Sequence, residues 1–215
     1  MSDTLSRKIA DGLLKCKAVF LRPDDPFTWA SGIKSPIYCD NRLTLTAPEQ
    51  RLIVETGFAD TIRKEFPDAE LLMGTSTAGI AHAAITAHIL GLPMGYVRSS
   101  AKDHGRTNRI EGKLEPGTKT VVVEDLISTA GSAVETADAL KEAGADVLGI
   151  VSIFTYGMKK AEDRLQSAGY RNVSLCSLDV LLEEAAKQGY IRESDIERIK
   201  KFRSNPDDPS WQTEI

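Results

Sequence analysis

Two adjacent carboxylates, Glu124 and Asp125, close the apolar run Val121-Val122-Val123 and precede a turn of small, hydroxyl-bearing residues, Ser128-Thr129-Ala130-Gly131-Ser132. Neighbouring carboxylates can accept hydrogen bonds from a vicinal diol, such as the 2′ and 3′ hydroxyls of a ribose. Backbone N–H groups in a small-residue turn can wrap a phosphate, and a helix starting there, expected at Ala133–Ala143, adds partial positive charge. Together these residues point to a ribose 5-phosphate, with Glu124 and Asp125 on the diol, Ser128, Thr129, Ala130, Gly131 and Ser132 around the phosphate, and Leu126 and Ile127 between them in the same binding segment. No Gly-Lys-Ser/Thr follows the glycine and no Gly-x-Gly-x-x-Gly is present, which sets aside a Walker A loop and a dinucleotide fingerprint. The competing account is structural: Glu124 and Asp125 end a strand and cap a helix. Ala130 is compatible with such a turn unless the position needs a positive φ.

A second group of reactive residues lies between Arg98 and Lys113. Arg98, Lys102, Arg106, Arg109 and Lys113 face only Asp103 and Glu111, with His104, Gly105 and Gly112 among them and no hydrophobic period. The stretch reads as a long polar loop between two strands, and loops of that length in a compact domain are usually lids or binding loops. A cationic lid suits a polyanion, because it can close over the charge and exclude water; a solvated surface excursion is the alternative. Arg98 and Lys102 can meet phosphate oxygens, and His104 can serve as a general acid on a leaving group. His82 and His88 stand six residues apart, off a common helical face. No partner completes a metal set, so they read as packing or surface residues.

The elements that must hold these residues alternate. An amphipathic helix is expected at 4–17, a short strand at 37–39, and a helix from Pro48 to about Phe66. Further strands are expected at 70–73, 94–97, 121–123 and 147–154, with an edge strand at 173–175. An Ala-rich helix at 80–90 ends at Gly91, another helix begins near Met158, and helices are expected at 178–187 and 194–203; the tail 205–209 reads as loosely packed. Alternation of this kind implies an α/β fold, a parallel sheet covered on both faces. The strand running into the phosphate turn then sits where open α/β sheets bind ligands.

The chain of 215 residues fits one domain. No apolar run approaches the roughly 20 residues of a membrane span, and the N-terminus lacks a secretory pattern. Cys16, Cys39 and Cys176 are scattered, odd in number and without metal-ligand spacing, which suits reduced thiols in a cytoplasmic protein. The formal net charge of −4 argues against a general nucleic-acid binder.

The Glu124–Ser132 segment closely resembles the phosphoribosyl-diphosphate (PRPP) motif of the type I phosphoribosyltransferases. Three further segments resemble the orotate phosphoribosyltransferases within that family: Ser31–Tyr38, the hood on the orotate side; Gly74–Ile80, the diphosphate-side loop; and Tyr96–Gly112, the catalytic loop. They occur in family order across residues 28–157. The resemblance implies a type I fold with a mainly parallel sheet, a small N-terminal hood at about 18–45, a core at about 46–180, and C-terminal helices and tail at 181–215. It also implies a long mobile catalytic loop. The implied reaction joins orotate to PRPP in de novo pyrimidine biosynthesis, with Mg2+ held mainly through PRPP rather than by protein ligands. Arg98, Lys102 and His104 would face the diphosphate, Lys34 and Ser128 the orotate, and a homodimer would share its active sites. Departures from the pattern are Ala78, Ser99 and Thr155-Tyr156, where some members carry basic residues. Two other classes remain open, a purine phosphoribosyltransferase and a PRPP-sensing regulator without turnover; the second should carry a basic face or appended domain, and beyond the lid this acidic chain shows neither.

Overall fold

The computed structural model describes residues 3–29, 32–99 and 109–213. In chain order the elements are α1 (Asp3–Lys15), β1 (Val19–Leu21), β2 (Phe27–Thr28), β3 (Lys34–Ser35), β4 (Ile37–Cys39), a 3-10 segment (Asn41–Thr46), α2 (Pro48–Glu65), β5 (Leu71–Thr75), α3 (Ala78–Leu90), β6 (Met94–Val97), β7 (Ile110–Glu111), β8 (Lys119–Ile127), α4 (Gly131–Glu142), β9 (Asp146–Thr155), α5 (Lys159–Ala168), β10 (Asn172–Ser177), α6 (Leu178–Lys187), α7 (Glu193–Ser204) and a last 3-10 turn (Pro209–Gln212). The main sheet runs β10-β9-β8-β5-β6-β7; every pairing is parallel except β6 with β7. The expected mainly parallel α/β sheet is therefore present. Two antiparallel ribbons, β1 with β4 and β2 with β3, form a separate N-terminal layer.

Side chains alternate along the strands and divide the core. Leu72, Val121, Val123 and Val151 pack with Ile9, Phe58, Ala83 and Leu181 from α1, α2, α3 and α6. Leu71, Met73, Val122 and Ile150 pack with Ala133, Ala137 and Leu140 of α4 and Ala161 of α5. A strand buried on both faces must be apolar at successive positions, and this explains the unbroken Val121–Val123.

β8 is longer than the apolar run suggested. It continues to Ile127 because its pairing with β9 runs on through Glu124↔Ser152 to Ile127↔Thr155. On its other side, pairing with β5 stops at Gly74↔Val123. The chain winds outward in opposite directions from β5 and β8, so a crevice opens at their carboxyl ends, the switch point where such sheets bind ligands. The edge strand expected at 173–175 is β10. The two-residue β7 falls within the stretch expected to be loop, too short to carry a strand pattern of its own.

The Pro- and Asp-rich segment 205–209 has no buried residue, but the chain beyond it packs back onto the fold. Trp211 is 1% exposed and lies edge-on to Phe202, which in turn lies edge-on to Trp29 of the N-terminal layer. Buried Arg198 of α7 donates to Asp24 at 2.7 Å, Asp195 at 3.0 Å and the Pro23 carbonyl at 2.8 Å. The C-terminal helices thus brace the turn that leads into β2.

His82 is buried on α3 and hydrogen-bonded through Nδ1 to buried Glu55 of α2 at 2.7 Å, while Thr86 donates to the other Glu55 oxygen at 2.8 Å. It is a packing residue, as its spacing suggested, and His88 is exposed. Removing one member of a buried pair strands the other's polar group, whereas replacing both with apolar side chains of similar volume is far milder. We expect His82→Leu alone to cost about 3–5 kcal/mol. The double variant Glu55→Leu/His82→Leu should recover most of that loss. Urea unfolding of the three proteins checks this; equal losses in single and double variants would count against it.

Candidate active site

The end of β8 places its two carboxylates differently. Glu124 is buried and accepts three hydrogen bonds: Thr75 Oγ1 at 2.6 Å, Ser132 Oγ at 2.9 Å and the Asp125 backbone N–H at 2.9 Å. The donors come from β5, from the first turn of α4 and from β8 itself, so one carboxylate knits the two strands and the phosphate turn together. Asp125 is half-buried, and its backbone carbonyl accepts from Asn41 Nδ2 at 2.7 Å. Burial, then the adjoining Glu124 carboxyl, pushes the Asp125 side chain up to about 7. Cys39 and Tyr156 also feel the Asp125 charge; each is held well above its ordinary value, burial being the main cause in both.

The turn after β8 runs Ser128-Thr129-Ala130 into Gly131, the first residue of α4. Ala130 has φ +60°, so the position does use the left-handed conformation in which alanine is strained. Arg164 of α5, which the sequence did not single out, donates to the Thr129 carbonyl at 3.2 Å and packs beside Gly131. Across the crevice, the 74–79 loop leads from β5 into α3, and its Ser76–Thr77 peptide is cis. Gly79 is required there: a Cβ would stand 2.3 Å from the Val123 carbonyl oxygen.

A pocket of about 520 Å³ adjoins the phosphate turn, lined by Phe27, Thr28, Trp29, Tyr38, Cys39, Leu126, Ser128, Thr129, Tyr156 and Met158. Aromatic side chains from β2, β4 and the segment after β9 make it a slot suited to a planar ring. Of the residues expected at the site, Leu126, Ser128 and Thr129 line the pocket, and Glu124, Asp125, Ala130, Gly131 and Ser132 are contiguous with it along the chain. Ile127 is buried in the core. Lys34 is exposed outside the lining and reaches the pocket through Thr28, to whose hydroxyl it donates at 2.7 Å. Arg98, after β6, is half-buried; its Nη1 stands 3.8 Å from Glu111 Oε1, and its backbone N–H and carbonyl both bond to Arg109. Lys102 and His104 lie outside the described residues. Thr75 lies in the expected 74–80 loop, though its bond to Glu124 has no local signal; nothing local marks Asn41, Phe27 or Met158, which only the fold brings to the site. Tyr38 belongs to the expected orotate-side hood and lines the pocket, as does Tyr156, which the sequence marks only as a departure from the family pattern. Among the described residues no group of three or more His, Cys, Asp or Glu side chains is placed to hold a metal ion.

Residues 46–180 match the family model of the phosphoribosyl transferase domain. An orotate phosphoribosyltransferase of Bacillus cereus is 51% identical over 97% of this chain and the whole of its own length. The chain belongs to the orotate phosphoribosyltransferase family. A member from Halalkalibacterium halodurans is 50% identical over 98% of the chain, again matched over its full length. The crystal structure of orotate phosphoribosyltransferase from Aeropyrum pernix superposes with a TM-score of 0.74 at 30% identity, covering 85% of this chain and 99% of that one.

Two outcomes follow from the geometry. The folded chain holds the Asp125 proton to about pH 7, whereas an unfolded aspartate releases it near pH 4. Between these values the unfolded state binds fewer protons, so stability falls as pH rises through the window. Asp125→Asn should therefore be more stable than the parent at pH 8, by on the order of 1–3 kcal/mol, and little different at pH 4; urea midpoints at the two pH values test this, and a pH-independent difference would refute it. Replacing Ala130 separates strain from size: Ala130→Gly should be neutral or slightly stabilising, and Ala130→Val should cost about 1–3 kcal/mol, read from thermal unfolding.

Proposed function

We propose that the protein is an orotate phosphoribosyltransferase, transferring ribose 5-phosphate from PRPP to orotate with release of diphosphate and formation of orotidine 5′-monophosphate. The observation that carries this reading is that Ser128 and Thr129 belong both to the phosphate turn and to the aromatic-walled pocket. A ribose 5-phosphate in the turn then points its anomeric carbon toward a ring in the pocket. The near-complete match to relatives named as orotate phosphoribosyltransferases selects orotate over a purine.

In this reading Asp125 accepts from the ribose hydroxyls, with Glu124 behind it fixing the strand end and the turn. The backbone N–H groups of Ser128–Ser132 and the N-terminus of α4 take the 5′-phosphate. As the C1–O bond breaks, positive charge grows on the ribose and negative charge on the departing diphosphate, while the orotate ring nitrogen gives up its proton to solvent and forms the new bond to C1. Groups that meet charge only as it develops contribute most to the rate. Arg98 and Lys102 are assigned to the diphosphate and His104 to its protonation, with Lys34 and Ser128 assigned to orotate. Mg2+ would be carried in mainly on the PRPP oxygens and would supply further neutralisation of the leaving group. The functional unit is a homodimer in which each lid serves the partner's site, and the enzyme works in the cytoplasm; no helix of the described residues is long and apolar enough to cross a membrane.

The test is the fall in orotate absorbance on mixing protein, PRPP and Mg2+. It should require all components, and Lys102→Ala should lower kcat by about 10²-fold or more, as expected for removing one group that stabilises developing charge. Turnover of adenine, hypoxanthine or uracil in place of orotate would displace the base assignment. PRPP binding without turnover of any base would favour a sensor.

A further inference from the structure

Asn41 connects two parts of the site that are far apart in sequence. Its side chain is fully buried at the start of the 3-10 segment that follows β4. Nδ2 donates to the backbone carbonyl of Asp125 at 2.7 Å, and Oδ1 accepts from Cys39 Sγ at 3.3 Å. Cys39 lines the pocket, and Asp125 presents the carboxylate at the end of β8. The 3-10 segment does not need this carboxamide. It is capped by the Asp40 side chain, which accepts from the Arg42 N–H, and closed by Thr44 donating to the Asn41 backbone carbonyl. A carboxamide offers donors at one end and an acceptor at the other, and here each end is spent on a different half of the site.

We propose that Asn41 is a positioning residue that couples the pocket to the ribose carboxylate, so that a ligand in either one favours binding in the other. This rests on reading the two as the base and ribose subsites. A base pressing on the Tyr38–Cys39 wall sets the carboxamide, and the carboxamide sets the backbone from which the Asp125 side chain projects. Coupling of this kind is reciprocal.

The test uses orotate with ribose 5-phosphate, which lacks the diphosphate leaving group and so cannot react. Dissociation constants for each ligand are measured alone and in the presence of the other by calorimetry. In the parent protein each should tighten the other by about fivefold or more. In Asn41→Ala the ratio should fall toward one, whatever happens to the individual constants; a merely structural role would weaken both ligands and leave the ratio unchanged. Cys39→Ala breaks the far end of the link at a half-buried position and should also lower the ratio, while Cys39→Ser, which keeps a donor, should preserve it. Should Asn41→Ala fail to fold, the Cys39 pair decides. A parent ratio of one, or a ratio unaffected in both alanine variants, would overturn the coupling. A parent that binds neither ligand would instead overturn the substrate assignment beneath it, and the coupling with it.

Discussion

A carboxylate can be sunk into the end of a parallel sheet only if donors come with it, and Glu124 imposes that demand on its surroundings. Left bare, such a group would cost several kcal/mol or give up its charge. Its three donors come from the neighbouring strand, the following helix and the next residue. Satisfying it therefore fixes how β5 and β8 end, where α4 begins, and the path of the turn between. The phosphate turn owes its position to a side chain that is almost wholly hidden behind it.

That arrangement divides labour between two residues that look equivalent in the sequence. Glu124 already accepts three hydrogen bonds; Asp125, one step along, is half-buried, and burial and the Glu124 carboxyl disfavour its charge. In the proposed reading, a ligand bringing hydroxyl donors relieves the second residue, while the first already has its donors. The two carboxyls lie close enough that Glu124 helps to raise its neighbour, yet their hydrogen-bond partners differ.

Most of the architecture was legible because its signals are local. The Val121–Val123 run, the glycine after the Ala-rich α3 and Pro48 at the head of α2 each mark an element without help from the rest of the chain. The turn after β8 was legible for the same reason, small residues following directly on the apolar strand. What escaped notice is what depends on distant contacts: Asn41 reaching Asp125 across 84 residues, Thr75 reaching Glu124, and Phe27 and Met158 meeting in one wall. The polar segment 205–209 is exposed or half-buried, as its composition suggests, and the residue that anchors the tail, Trp211, comes two positions later. Ala130 shows the limit most plainly, since alanine in a left-handed turn leaves no trace in the sequence that distinguishes it from alanine in a helix.

Trp29 forms part of the pocket wall, its ring lies 5.6 Å from Phe202, and Phe202 lies 5.5 Å from Trp211. These are the chain's two tryptophans. One indole is exposed to whatever enters the pocket, and the other is sealed in the core behind it. The chain thus carries its own optical probe and its own internal standard: emission from Trp29 should respond to occupancy of the slot, while Trp211 contributes a constant background until the C-terminal helices come away.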